Sequence, residues 1–202
     1  MAQAIKKTGY TKNTPKSYVI DAGAVYANLT WNETSGKWEG DPMGATSGGN
    51  KLTITREFRE VEVDGVKSRA KGLKILQSQN ADLEINVKEL TAENIARALG
   101  ATITQGDGTN APAGYKIITS GGAVKLTDYL NNIAVVGTVS GTNDPIIVIL
   151  DNALCTSGLE LELKDDDEAV VTMKFEAHAD EGQIEDLALP ARIYYPTVQM
   201  EV

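Results

Sequence analysis

Residues 50–87 read NKLTITREFREVEVDGVKSRAKGLKILQSQNADLEINV, and the fold turns on this stretch. Asp64 and Gly65 stand between Val63 and Val66, inside two long runs of extended-strand character. An Asp-Gly pair between two strands is a strong hairpin signal, because a type I′ turn takes φ > 0 at both central residues. The flanks are charged: Arg59, Glu60, Glu62 and Asp64 going out, Lys67, Arg69 and Lys71 returning. So few apolar residues near the tip leave the hairpin 59–71 nothing to bury in its own core. It is expected to project as an arm. An isolated two-stranded ribbon is only marginally stable in water, so its expected support is another copy of the chain.

On the outgoing side Leu52, Ile54 and Phe58 share one parity, and the apolar positions then switch to Val61 and Val63. A flip of this kind marks a β-bulge, or a strand leaving one environment for another. The return run settles into Ala81, Leu83, Ile85 and Val87 against Asp82, Glu84, Asn86 and Lys88. Next comes the one helix the sequence predicts, 91–99. Thr91 caps it, Glu93 suits its positive end, and Gly100 closes it in the left-handed conformation. Ile95, Ala98 and Leu99 form its expected apolar stripe.

Upstream, residues 1–16 read as an extended arm and 18–29 as a strand with a bulge or bend at Gly23. Residues 31–49 read as a loop or loose hairpin. Downstream, 104–114 read as a loop, and strands are expected at 115–119, 133–139 and 146–150. A second hairpin is expected over 158–178. Leu159, Leu161 and Leu163 alternate with Glu160, Glu162 and Lys164. After the acidic turn 165–168 the alternation resumes through Val171, Met173 and Phe175 against Thr172, Lys174 and Glu176. Such strands have one face on a core and one in water. A short apolar run follows at 191–195. No repeat or linker divides the chain, so residues 1–202 are expected to form one mainly β unit with one helix, an α+β class.

The formal net charge is −9. That argues against a dedicated nucleic-acid binder, which normally carries a basic surface. The first twenty residues hold Lys6, Lys7, Lys12 and Lys16 and no acid, which makes the remainder more acidic still. Cys155 is the only cysteine, so no intrachain disulfide forms, and a reducing compartment fits. No apolar stretch has the length of a signal-peptide core or a membrane span. The expectation is a soluble protein made in the cytoplasm, with no membrane partner.

Catalytic constellations are missing from the sequence. One histidine, His178, would have to serve any triad, and its place in an alternating run favours an exposed strand position. Residues 44–52 (GATSGGNKL) fail as a phosphate loop, since the lysine does not follow the last glycine and no Ser or Thr comes after it. The acidic turn lacks the spacing and glycine of an EF-hand. The sequence predicts no catalysis, cofactor or metal.

The segments together resemble the major tail tube proteins of long-tailed bacteriophages, above all the non-contractile type. The likeness is carried by 18–26 (YVIDAGAVY), by Gly44, Ala45 and Thr46, and by 51–65. It continues through Lys71, Gly72, Leu73 and Lys74 and through 81–99, most of the first hundred residues. The second half matches only in character.

The resemblance implies a β-sandwich flanked by one helix. It further implies homo-hexameric rings whose inner sheets join into a β-barrel, stacked around a tape-measure protein. Tail terminator and distal tail proteins bound such a tube. DNA passes through it without specific binding, in a virion whose parts are made in the host cytoplasm. Asp82 and Glu84, with Glu160, Glu162 and Glu176, are then expected to line the channel. Their strand faces are too polar for a core and too regular for loops. The competing reading is a capsid-decorating or adhesin-like sandwich that uses the Gly- and Thr-rich stretch 104–144 as surface loops.

Overall fold

A computed structural model describes residues 8–163, 165 and 168–197. Its strands are β1 (Val19–Asn32), β2 (Lys37–Pro42), β3 (Lys51–Glu60), β4 (Lys74–Val87), β5 (Ala101–Gln105), β6 (Lys116–Ser120), β7 (Leu130–Val139), β8 (Pro145–Cys155), β9 (Val171–Glu176) and β10 (Ala191–Tyr194). The helix α1 is Ala92–Leu99. All pairings are antiparallel. They run in the order β2-β1-β7-β8-β9-β4-β3, with β10 also on β8 and with β5-β6 as a separate ribbon. The path is open at β2 and β3. No closed sheet is found among the described residues, and the barrel expected across subunits is not one that a single chain displays.

β8 turns the path into two layers. The stretch from Pro145 to Ala153 pairs with β7 and β10, whereas Leu154 and Cys155 pair with β9. The break falls at Asn152, a non-glycine residue with φ 46. Between the layers lies the main core. Val25, Ala27, Ile133, Val148 and Leu150 come from one side, and Ala81, Leu83, Ile85, Val87, Val171, Met173 and Phe175 from the other. The alternation in 81–87 and 171–175 therefore does what period-two patterning predicts, burying every second residue. A smaller cluster, Leu29, Ala134, Ile147 and Ile149, lies under Tyr26 and Trp38.

β1 is longer than predicted and carries two irregularities. Its register against β7 shifts between Ile20 and Ala24, where Asp21 and Gly23 have φ 83 and 77. That is the bend expected at Gly23. Here a Cβ would come within 3.2 Å of Val135 and 3.3 Å of the Val136 carbonyl. A second shift, between Ala27 and Thr30, coincides with Asn28 at φ 54. The stretch 31–49 contains a true strand, β2, that pairs back on β1.

α1 forms as its caps dictate. The Thr91 hydroxyl accepts from the Asn94 amide at 3.1 Å, and Gly100 has φ 54. Its buried side differs from the predicted stripe. Asn94, Ala96 and Ala98 are buried while Leu99 is exposed. The reason is a polar anchor: Asn94 Nδ2 donates to the Met43 carbonyl at 2.8 Å and the Glu89 carbonyl at 3.0 Å. The residues before β3 and after β4 are thereby both tied to the helix.

Three further expectations need correction. The arm does not continue as a ribbon to Asp64 and Gly65. The strands stop at Glu60 and Lys74, and Val61 N–H to Leu73 O (2.8 Å) is the last rung. Two tight turns consume the residues beyond it. Val66 N–H donates to Val63 O with only Gly65 at positive φ, and Leu73 N–H donates to Ala70 O with Gly72 at φ 95. A turn with one left-handed residue is not type I′ and does not match strand twist. The second hairpin is also absent as such: 158–163 form no strand, and β9 pairs with β4 and β8 instead. Finally, the arm 1–16 is not extended throughout, since Thr14–Lys16 make one turn of 3-10 helix. It is held by Ser140, whose hydroxyl donates to Pro15 O and accepts from Tyr18 N–H. Residues 1–7 lie outside the described residues.

Candidate assembly surface

The sheet β9-β4-β3 buries one face and presents the other. Register places Lys51, Glu84 and Lys174 in one row and Thr53, Asp82 and Glu176 in the next, with Asn86 beside Thr172. All belong to the parity opposite the buried Leu83, Ile85, Met173 and Phe175. Asp82, Glu84 and Glu176, three of the five residues expected to share a polar surface, do share one strand face. Glu160 and Glu162 do not. They sit in the strandless segment that follows β8.

Lys174 is the residue the sequence reading passed over. Its ammonium lies 3.0 Å from Glu176 and 3.6 Å from Asp82. The Glu176 hydrogen bond raises the Lys174 pKa above its ordinary value, with Asp82 adding to it. Reciprocally, hydrogen bonds from Lys174 and then Thr156 hold Glu176 below the usual carboxylate range. The signal was present in the alternation, since Lys174 has the parity of Glu176.

β3 is the outer strand of this sheet. Among the described residues nothing pairs with its second edge, which runs the ten residues from Lys51 to Glu60. Edges of that length invite another chain unless blunted. A bulge falls between Glu57 and Phe58, opposite the unpaired Gln77. Phe58 stays exposed, with Arg56 and Lys74 over its ring at 5.2 and 5.8 Å.

Past the bulge, residues 61–73 loop around an open hollow of about 470 Å³. Glu60, Glu62, Asp64, Gly65, Lys67 and Arg69 all line it, while Arg59 remains on β3 and Lys71 opens the second turn. Val63 and Val66 are exposed at the tip.

His178 is not on a strand and not fully exposed. It lies just beyond β9, its ring edge-on to Tyr129 at 5.1 Å and its Nδ1 3.1 Å from the Asn152 carbonyl. No acid–base partner or nucleophile is joined to it by these contacts. Burial pushes the Cys155 thiol above its ordinary pKa. Among the described residues no three side chains of metal-ligating type converge, and no helix is long and apolar enough to cross a membrane.

No family model matches the chain, and no curated protein matches it in sequence. Among solved structures it is similar to a chain in the virion of the native gene transfer agent particle. The identity is 12%, the TM-score 0.39, and the match covers 79% of this chain and 92% of that one. It is likewise similar to a chain from the tail of the empty gene transfer agent particle, with C6 symmetry, at 12% identity and TM-score 0.41, over 79% of this chain and 92% of that chain.

Proposed function

We propose that the chain is a structural subunit of a phage-type tail tube in a virion. Six copies form a ring, rings stack around a tape-measure protein, and terminator and distal tail proteins close the ends. The reading rests on one observation: a three-stranded sheet, polar on one face along Lys51, Thr53, Asp82, Glu84, Lys174 and Glu176, ends in a ten-residue edge with which nothing among the described residues pairs. Joining such sheets edge to edge removes the exposed edge and closes a barrel. The polar face then lines the channel. Asp82, Glu84 and Glu176 outnumber Lys51 and Lys174 there, and a net negative wall repels the phosphates of passing DNA.

The subunit works without catalysis, cofactor or metal. Electron microscopy and sedimentation of purified protein test the reading. Rings or tubes with a regular axial repeat, unchanged after dialysis against chelator, are expected. A permanent monomer at high concentration would replace it with the decorating or adhesin-like sandwich.

A further inference from the structure

Residues 158–163 (GLELEL) alternate as strictly as the strand run 81–87 and form no strand. Leu159 packs on the core, but Leu161 is 45% and Leu163 80% exposed. A sequence whose local preference contradicts its local structure is a sign of a functional or strained segment. We infer that 158–163 is a latent strand that pairs with the free edge of β3 in a second copy of the chain.

Placement supports this partner. The segment leaves from the β9 side of the sheet: Thr156 N–H donates to Lys174 O at 2.9 Å and the Ser157 hydroxyl accepts from Lys174 N–H at 3.0 Å. Gly158, at φ 69, turns it away. The acceptor edge is at the other end of the same three-stranded sheet, on β3. Donor and acceptor on opposite ends make a head-to-tail contact, which propagates into a ring or a filament rather than closing as a dimer.

The side chains match as well. With the leucines on the side of Leu52 and Ile54, Leu161 and Leu163 extend the apolar face. Glu160 and Glu162 then fall on the polar side, in reach of Lys51 and beside Thr53. Opposite charges across strands favour that pairing. The move would bring Glu160 and Glu162 onto the surface that holds Asp82, Glu84 and Glu176.

This inference builds on the proposed tube subunit but has its own readout. In a Cys155→Ser background, Leu161→Cys and Leu52→Cys are placed in one chain and treated at high concentration with a short bismaleimide, which tolerates a slip of register. A shift from monomer to a ladder of covalent multimers is expected, with each single-cysteine variant stopping at dimer. Failure to cross-link overturns the latent strand; if rings still form, the tube reading stands. A ladder without rings or tubes keeps the latent strand and removes the tube. On the unmodified protein, hydrogen exchange gives a second readout. Amides 159–163 are expected to exchange more slowly in the assembled fraction than in dilute monomer, and equal exchange in the two overturns the inference.

Discussion

Asp82 on β4 and Glu176 on β9 stand directly opposite each other, and the Lys174 ammonium serves both. Like charges at paired positions destabilise a sheet, so the lysine is what lets two carboxylates share the row. Lys174→Met is expected to lower stability by about 1 kcal/mol or less, since the pair is partly solvated. The loss should shrink in high salt, as screening weakens the repulsion left behind. Urea unfolding at two salt concentrations measures both.

The same pair sets a pH response. Glu176 has a lowered pKa, so its contribution is whole above the ordinary glutamate value of about 4.3 and fades as pH falls through the lower folded value. Lys174 has a raised pKa, so its share is whole below about 10.4 and fades as pH rises through the higher folded value. Between those limits Glu176→Gln should cost stability; once pH is below the folded value of Glu176, it should cost nothing. Thermal unfolding across pH tests this, and a penalty that persists in acid would count against it.

Asn152 holds the break in β8. Its backbone sits at φ 46, and its Nδ2 donates to the His178 carbonyl at 3.2 Å and to Asp180 at 2.8 Å. Asn152→Ala loses the bonds and keeps the strained backbone, and is expected to cost about 1–3 kcal/mol. Asn152→Gly relieves the strain and should be milder. Equal losses in urea titration would show that the conformation matters little.

Asn94→Ala should cost a similar amount, about 1–3 kcal/mol, by leaving the buried Met43 carbonyl without its side-chain donor. The expected signature is a lower midpoint with an unchanged denaturant slope.

The loop 61–73 adds little core, so replacing it with a short Gly-containing turn between Glu60 and Lys74 should leave a cooperatively folding monomer. The same variant should fail to form tubes. In the intact subunit trypsin should cut first at Lys67, Arg69 or Lys71, all exposed, and more slowly after assembly. Normal tubes from the loopless variant would separate the loop from assembly.

Much of this architecture is legible in the residues. Thr91 and Gly100 mark α1 through cap chemistry, and the run 81–87 marks β4 because its period is two throughout. What escaped is what depends on distant partners. Trp38 lies in a strand, β2, whose other residues are all exposed, so no periodicity announces it. β5 is a short Thr-rich run that needs β6 beside it. Asn94 replaces an apolar residue on the helix because two carbonyls from elsewhere in the chain converge there. The polar face emerged from alternation, yet Glu160 and Glu162 showed the same alternation without joining it. Pattern states which side a residue would face in a strand; it does not supply the neighbour that makes the strand.

Asn132 binds both the amide and the carbonyl of Leu29, at 2.8 and 3.1 Å, across 103 positions of chain. β1 therefore has its central neighbour only after more than half the polypeptide has been made. Contacts of such separation close slowly, because the intervening chain must give up its freedom before they form. A ribosome stalled before β7 would release a fragment whose first strand has no partner on the β7 side. Such fragments would carry β3 and β4 but lack β9, the strand that pairs with the other side of β4. Without β9, β4 would have no partner across its Leu83, Ile85 and Val87 register, and the core between the layers would be missing its Val171, Met173 and Phe175.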